Sequence, residues 1–122
     1  FTRRDEKTLA YEQHTQKRYD GQIEWLESHW EFGFIRVLES GEFEMTSAQI
    51  GRVEVLAGKI ETRDNIARIH FVSKTITNDP RMISSARTFE LEGDALRYEM
   101  EMHTTAVNQS TKHLEIVLQR IK

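Results

Sequence analysis

The stretch Leu96-Arg97-Tyr98-Glu99-Met100-Glu101-Met102-His103-Thr104 decides the fold class. Apolar or small side chains alternate in it with charged ones, and a period of two is typical of a β-strand with one face turned to a core. A polar turn follows, and then a second strand-like run over Leu114–Ile121. The two runs predict a pair of antiparallel strands near the end of the numbered chain.

The same period of two recurs through the rest of the chain. With the two runs above it predicts about eight strands: Thr8–Gln16, Trp30–Phe34, Phe43–Gln49, Arg52–Ala57, Ala67–Lys74, Ala86–Leu91, Leu96–Thr104 and Leu114–Ile121. Polar turns that contain glycine punctuate the chain: Asp20-Gly21, Ser40-Gly41, Ala57-Gly58 and Gly93-Asp94. Helical periodicity is not sustained. Successive strands joined by short turns predict an all-β fold, either an antiparallel up-and-down barrel or a sandwich.

The composition of the predicted inward faces favours a barrel with a cavity. These faces mix apolar and polar residues, as in Met45, Ser47 and Gln49, where a close-packed sandwich would prefer Val, Ile and Leu. A shift of one residue in a strand would exchange its two faces, which is the alternative interpretation. An inward Gln49 needs a partner, for which a ligand, a water or a backbone group would serve. Acidic residues that alternate with Arg and Lys are interpreted as a solvated barrel exterior and not as an acid–base pair.

Length and composition limit the classes of function. A chain of 122 residues predicts a single domain over 1–122. The net charge is −3, from 17 basic and 20 acidic residues without a block of one sign, so neither nucleic acid nor a membrane is expected as a partner. The absence of Cys excludes thiolate-ligated haem and covalent haem attachment. Because the numbering starts at Phe1, we expect the segment to begin partway into a longer protein.

His113 is the strongest candidate for chemistry. A neutral imidazole at the mouth of a cavity can ligate haem iron or another metal, and it can also carry a proton. The competing interpretation is a surface or hydrogen-bonded His that begins a strand. Met100 and Met102 are interpreted as plain core or as the adaptable wall of a cavity. For His29, the competing interpretation is a partly buried side chain between aromatic residues.

Three ordered stretches resemble the nitrobindin family. They are His29–Arg36 (HWEFGFIR), Ser47–Gly58 (SAQIGRVEVLAG), and Met102–Thr105 (MHTT) leading to His113-Leu114. They are similar to the family's H-x-E-x-G-[FY]-[IF]-R, A-Q-x-x-G-x-V-E-V-x-x-G and M-x-T-T-T…H-L segments. The segment Ala10–Gln13 (AYEQ) is a weaker match. Together the stretches span most of the chain.

The resemblance implies a barrel of the fatty-acid-binding-protein type with about ten antiparallel strands, of which the opening ones are missing from this sequence. It implies ferric haem b, held without a covalent bond, with His113 as the axial metal ligand. Distal and wall positions carry over to His29, Gln49 and Met102. The implied small-molecule partners are nitric oxide and peroxynitrite, and the implied activity is isomerisation of peroxynitrite to nitrate. A homodimer is compatible with the resemblance, as is a cytoplasmic location, or a nuclear one within a larger protein.

Two other functions remain open from the sequence. An intracellular carrier of a fatty acid or another apolar ligand would use the same kind of cavity without iron chemistry. It would not need His113, and it would want an inward Arg and Tyr clamp, for which Tyr98 and Arg36 are candidates. An interaction domain of a larger protein is the third hypothesis, and a collapsed cavity would be its sign.

Overall fold

A computed structural model describes residues 1–106 and 109–121 of the chain, and the side chain of His113 lies outside the described part. Within these residues the chain forms nine strands. They are β1 (Thr2–Arg3), β2 (Thr8–Lys17), β3 (Leu26–Val37), β4 (Phe43–Gln49), β5 (Arg52–Arg63), β6 (Ile66–Thr77), β7 (Met82–Glu92), β8 (Ala95–Thr104) and β9 (Thr111–Gln119). No helix long and apolar enough to cross a membrane occurs in this part of the chain.

The nine strands form one antiparallel sheet in which spatial order follows sequence order from β1 to β9. This confirms the all-β fold of antiparallel up-and-down type, and all eight predicted strands are present as β2 to β9. The short β1 had no alternating pattern from which to predict it. The order of pairing is that of a barrel, although no pairing joins β9 to β1 among the described residues, so the sheet is not closed.

The predicted turn at Ala57-Gly58 is wrong. Gly58 lies within β5, and the chain reverses later, at Asp64 and Asn65, which both have positive φ. A Cβ on Gly58 would come within 2.3 Å of the carbonyl oxygen of His70 on β6. Glycine is needed here because the neighbouring backbone approaches closely, which is the other common reason for glycine inside a strand.

The interior of the sheet is layered along the strands. At the end near the β3–β4 turn lies an apolar core of Tyr11, Ile35, Met45, Leu56 and Phe71, against which Phe43, Ile69 and Phe89 pack. Leu56 and Phe71 are completely buried, and each contributes about 1.5–3 kcal/mol by its removal from water. The other end of the interior is polar. The polar end of the interior is therefore the part of the sheet where a ligand site can lie.

Strand β3 turns its aromatic face outward. Trp30, Phe32 and Phe34 are 41%, 49% and 50% exposed, whereas Glu31 and Ile35, which alternate with them, are buried. The interpretation of the acidic residues as barrel exterior is therefore wrong for Glu31, and also for Glu54 on β5, which is buried as well. Hydrophobicity alone would have assigned the face with Trp30, Phe32 and Phe34 to the interior.

Candidate functional site

A cavity of about 410 Å³ opens at the polar end of the sheet. Its volume lies within the usual range of small-molecule sites. Apolar side chains from β8, β9 and the β4–β5 turn form one part of its wall: Ile50, Met100, Met102 and Leu114. Polar side chains form most of the rest: Gln13, Thr15, Ser28, His29, Gln49, Arg52, Asp79 and Arg81. The cavity therefore combines an apolar wall with a ring of hydrogen-bonding groups.

The pairing register aligns the residues beneath the cavity in two rows across four strands. In one row Tyr11 on β2 lies opposite Gly33 on β3, and Ser47 on β4 lies opposite Glu54 on β5. Gly33 and Ser47 are also partners, so the row is continuous. The next row, nearer the cavity, is Gln13, Glu31, Gln49 and Arg52. Antiparallel pairing thus collects polar residues that are far apart in sequence.

Arg87 on β7 is the centre of a buried ionic triad. Its side chain is completely buried, and its Nη1 donates to Oε2 of Glu31 while its Nη2 donates to Oε2 of Glu54 at 2.6 Å. Ser85 donates its hydroxyl to Oε1 of Glu54 at 2.8 Å. Tyr11 donates its hydroxyl to Oε2 of Glu31 at 2.5 Å. Charges removed from water are tolerated only when paired and hydrogen-bonded in this way.

Burial and the charges of the triad shift the pKa values of Glu31 and of the two neighbouring tyrosines. Burial tends to raise the pKa of Glu31, but the Arg87 charge and the hydrogen bonds from Arg87, Tyr11 and His29 outweigh it and lower that pKa below the usual value. Burial, with the nearby Glu31 carboxylate, raises the pKa of the Tyr11 hydroxyl. Burial also raises the pKa of Tyr98 to about 12. Glu31 is therefore ionised and both phenols are neutral at ordinary pH.

The structure brings three of the four predicted site residues together. His29, Gln49 and Met102 all line the cavity. The partners of Gln49 are side chains: it donates to Ser47 and Glu54, and it accepts from Arg52 at 2.7 Å. The fourth residue, His113, has its side chain outside the described residues, so its role stays a prediction.

The backbone at residue 113 is nevertheless distinctive. Met100 on β8 pairs with Leu114, but the next residue, Glu101, pairs with Lys112, so β9 contributes one extra residue at this point. Such β-bulges often lie beside functional sites, where they redirect a side chain. Leu114, adjacent to the bulge, is part of the cavity wall.

The predicted clamp for a fatty-acid carboxylate is not formed by the two candidates. Tyr98 is almost fully buried and lines the cavity, but Arg36 is on the exterior, where it pairs with Glu44. The inward guanidinium is that of Arg87, and both of its terminal nitrogens are already engaged by carboxylates. A ligand carboxylate would have to displace one of these two glutamates from Arg87.

The residues present fit the haem that the sequence resemblance implies. A porphyrin needs an apolar wall, which Met100, Met102 and Leu114 supply. Its carboxylates need cationic or polar partners at the mouth. Arg52 lines the cavity, and its buried Nε has no hydrogen-bond partner among the described residues. That Nε lies 3.7 Å from Oε1 of Glu54, and the Arg52 guanidinium as a whole is a cationic group that a ligand carboxylate would meet at the cavity wall.

Sequence reasoning missed Arg87, Glu31 and Glu54 as interior residues. One signal for Glu31 was available, because residues two apart in a strand share a face and His29 was already a cavity candidate. No comparable signal existed for Arg87, which lies 56 residues from Glu31 and 33 from Glu54.

Comparisons with known proteins agree with this geometry. The model of a family described as "THAP4-like, heme-binding beta-barrel domain" matches residues 1–120. Among solved structures, the crystal structure of Rv2717c from M. tuberculosis superposes with a TM-score of 0.81 and 25% sequence identity. The match covers 96% of this chain and 74% of that chain. A comparison with curated proteins returns no significant match.

Proposed function

This chain belongs to the nitrobindin family of THAP4-like haem-binding β-barrel domains, and from this membership we propose that it holds ferric haem b in its open cavity. We further propose that the haem-loaded protein would bind nitric oxide and isomerise peroxynitrite to nitrate. The observation that carries the proposal is the cavity of about 410 Å³, with an apolar wall on β8 and β9 next to the bulge at residue 113. The absence of Cys supports non-covalent attachment.

Each part of the cavity has a proposed role in holding the haem. His113 would ligate the iron, and it lies at the extra residue that β9 contributes to its pairing with β8. Met100, Met102 and Leu114 pack against the porphyrin face and exclude water from it. Arg52 and the more exposed Arg81 attract the haem carboxylates.

When bound, ferric haem supplies a Lewis-acidic iron for a peroxo oxygen and a binding position for nitric oxide. The residues of the chain position the small molecule and control its surroundings. The apolar wall retains reactive fragments, so they recombine within the cavity instead of escaping into water. His29 and Gln49 lie on the polar part of the wall. The amide of Gln49 already donates to Ser47 and Glu54, so His29 is the one of the two with a ring nitrogen left for a bound molecule. Isomerisation has no net electron transfer, so no external reductant is needed.

A haemin titration of wild type, His113→Ala and His70→Ala tests the proposal. We expect wild type to saturate at about one haem per chain, with the absorption spectrum of a His-ligated ferric haem. His113→Ala should lose that spectrum. His70→Ala is the matched control, because His70 is on a strand remote from the cavity and bonds only to Thr88 in the described part of the chain.

Activity is tested on the loaded wild type by the decay of peroxynitrite and the yield of nitrate. Faster decay with nitrate as the product supports the isomerase proposal, and unchanged decay contradicts it. Weak haem uptake that is equal in all three proteins would exclude His113 as the ligand. The carrier of an apolar ligand would then become the better hypothesis, with a neutral ligand favoured over a fatty acid because both terminal nitrogens of Arg87 are already engaged by glutamates.

A further inference from the structure

Glu31 joins the buried triad to the cavity through His29. The two residues are two apart on β3 and share a face of the strand. Nε2 of His29 is 3.1 Å from Oε1 of Glu31. The His29 side chain is 33% exposed and lines the cavity, whereas that of Glu31 is 1% exposed. A buried carboxylate thus supports an accessible imidazole.

The two oxygens of Glu31 have separate partners. Oε2 accepts from both Tyr11 and Arg87, and Oε1 is left for His29. Because the lowered pKa keeps Glu31 ionised, its oxygens can only accept hydrogen bonds. Nε2 of His29 must therefore carry a hydrogen, which fixes the tautomer of the neutral ring. Nδ1 is then a lone-pair acceptor and is the ring nitrogen left for a molecule in the cavity.

The surroundings of His29 make Glu31 the dominant charge that acts on it. On β2 the neighbouring cavity residues are the neutral Gln13 and Thr15, and on β4 the neighbour is the neutral Gln49. Arg52, Asp79 and Arg81 are the other charged groups of the wall. Arg52 and Arg81 both lie within ion-pair distance of Asp79. Glu31 is thus the charged group that His29 contacts directly.

We propose that His29 is the proton acceptor of the cavity and that Glu31 is its positioning residue, for ligands that enter as weak acids and bind as anions. This inference rests on the haem proposed above. A weak acid H–X loses its proton to Nδ1 of His29 while the electron pair of the broken bond stays on X⁻, which ligates the ferric iron. No electron is transferred between protein and ligand. Peroxynitrous acid belongs to this chemical class, as does hydrogen cyanide.

The first experiment uses the protein without haem. Long-range ¹H–¹⁵N NMR correlations of the imidazole rings, assigned by comparison with His29→Leu, report which ring nitrogen carries hydrogen. We expect the neutral His29 ring of wild type to carry it on Nε2 alone. A ring protonated on Nδ1, or an even mixture of tautomers, would overturn positioning by Glu31. This measurement needs no variant with an altered triad.

The second experiment follows cyanide binding to the ferric haem-loaded protein at neutral pH, where cyanide is mostly the undissociated acid. We expect His29→Leu to slow association about 10²-fold, the lower end of what a positioned proton acceptor supplies. Glu31→Gln should slow it less, and the double variant should match His29→Leu. Association of imidazole, whose neutral form binds through a ring lone pair without loss of a proton, should stay within a few-fold in every variant when rates are referred to that neutral form.

The control variant is Glu27→Gln. Glu27 forms the other His–Glu pair of this strand, with His14 on the exterior, and should leave cyanide association unchanged. Unchanged cyanide association in His29→Leu would overturn the proposal, as would an equal slowing of cyanide and imidazole. If Glu31→Gln does not fold, the cyanide kinetics of His29→Leu still test His29 as proton acceptor, and the tautomer of wild-type His29 still tests positioning by Glu31. A wild type that takes up no haem would instead overturn the proposed function, while the tautomer would decide the positioning role separately.

Discussion

At the scale of single residues, Arg87 explains how two carboxylates remain in the interior. Each terminal nitrogen of its guanidinium serves one glutamate, and the planar group matches both at once. Tyr11 and Ser85 also donate hydrogen bonds to the two carboxylates, so Arg87 is not the only group that offsets their loss of hydration. A triad of this kind gives modest net stability when intact, but it is costly to break.

We expect Arg87→Met to lower the free energy of unfolding by about 3–5 kcal/mol at neutral pH, because it leaves two buried carboxylates without a cation. The pH dependence of the free energy of unfolding should also reverse. In wild type the folded pKa of Glu31 is depressed, so its stabilising contribution is present above the unfolded value near 4.5 and is lost as pH falls through the lower folded value. In the variant the cation that lowers the pKa of Glu31 is gone and burial remains, so the folded pKa of Glu31 rises above the unfolded value and stability increases as pH falls towards 5.

Urea unfolding of both proteins at pH 7 and pH 5 measures this difference. Arg97→Met is the control, because Arg97 is half exposed and its pair with Glu115 is on the exterior. Its effect should stay within about 1 kcal/mol. Parallel pH dependence in wild type and Arg87→Met would contradict the role of the triad.

At the scale of elements, the sequence predicted strands better than it predicted their faces. Alternation identifies a strand whichever side is buried, and β3 carries large aromatics on one side and glutamate on the other. The aromatic face lies outward because the interior partners of Glu31 are present on other strands. Those partners, Tyr11 and Arg87, become visible only when the pairing of the whole sheet is known.

The candidate site was also predicted only in part, because its charged residues are brought together by the pairing of distant strands. His29, Gln49 and Met102 were assigned to the site by the family resemblance of the stretches that contain them, and all three line the cavity. The charges of Arg87 and Glu54 carry no signal of burial, because an isolated Arg or Glu in an alternating strand is usually solvated. Gly58 was misread since a glycine in a turn and a glycine under a close backbone look identical in sequence.

We expect Gly33→Ala to destabilise the domain by about 1–3 kcal/mol, as overpacking usually does. A Cβ at Gly33 would lie 1.8 Å from the carbonyl oxygen of Thr46 and 2.8 Å from the Tyr11 ring, and the backbone of β4 cannot move without disturbing the row beneath the cavity. Thermal unfolding measures the effect. Gly93→Asn is the control, because Gly93 has φ +58° in open space, which Asn adopts readily. A Gly33→Ala protein as stable as wild type would contradict the close approach.

At the scale of the whole molecule, the sheet is divided along its strands into an apolar end, an ionic layer and a cavity. The apolar end supplies most of the hydrophobic stability, and the ionic layer separates it from any ligand. The cavity is therefore a region where residues can be exchanged with little effect on the core. Ligand binding should then add to the stability of the fold without repacking it.

Binding to the native state alone stabilises it, by about 2.7 kcal/mol at a free ligand concentration of 100 times Kd. We expect ferric haem to raise the unfolding temperature of wild type more than iron-free protoporphyrin does, because only the former can use an axial ligand. In His113→Ala the two porphyrins should give equal shifts. Differential scanning calorimetry provides the comparison, and an undiminished preference for ferric haem in His113→Ala would assign the ligation elsewhere.

The ionic layer also bears on the order in which the molecule assembles. Neighbouring strands are joined by short connections and can pair early, whereas Arg87 meets Glu31 across 56 residues and Glu54 across 33. Until all three strands are in register, water solvates these charges better than an incomplete interior does. We therefore expect the triad to form after the folding barrier has been crossed. Its strength would then govern how long a folded molecule persists between unfolding events, with little influence on how quickly the chain first reaches the native state.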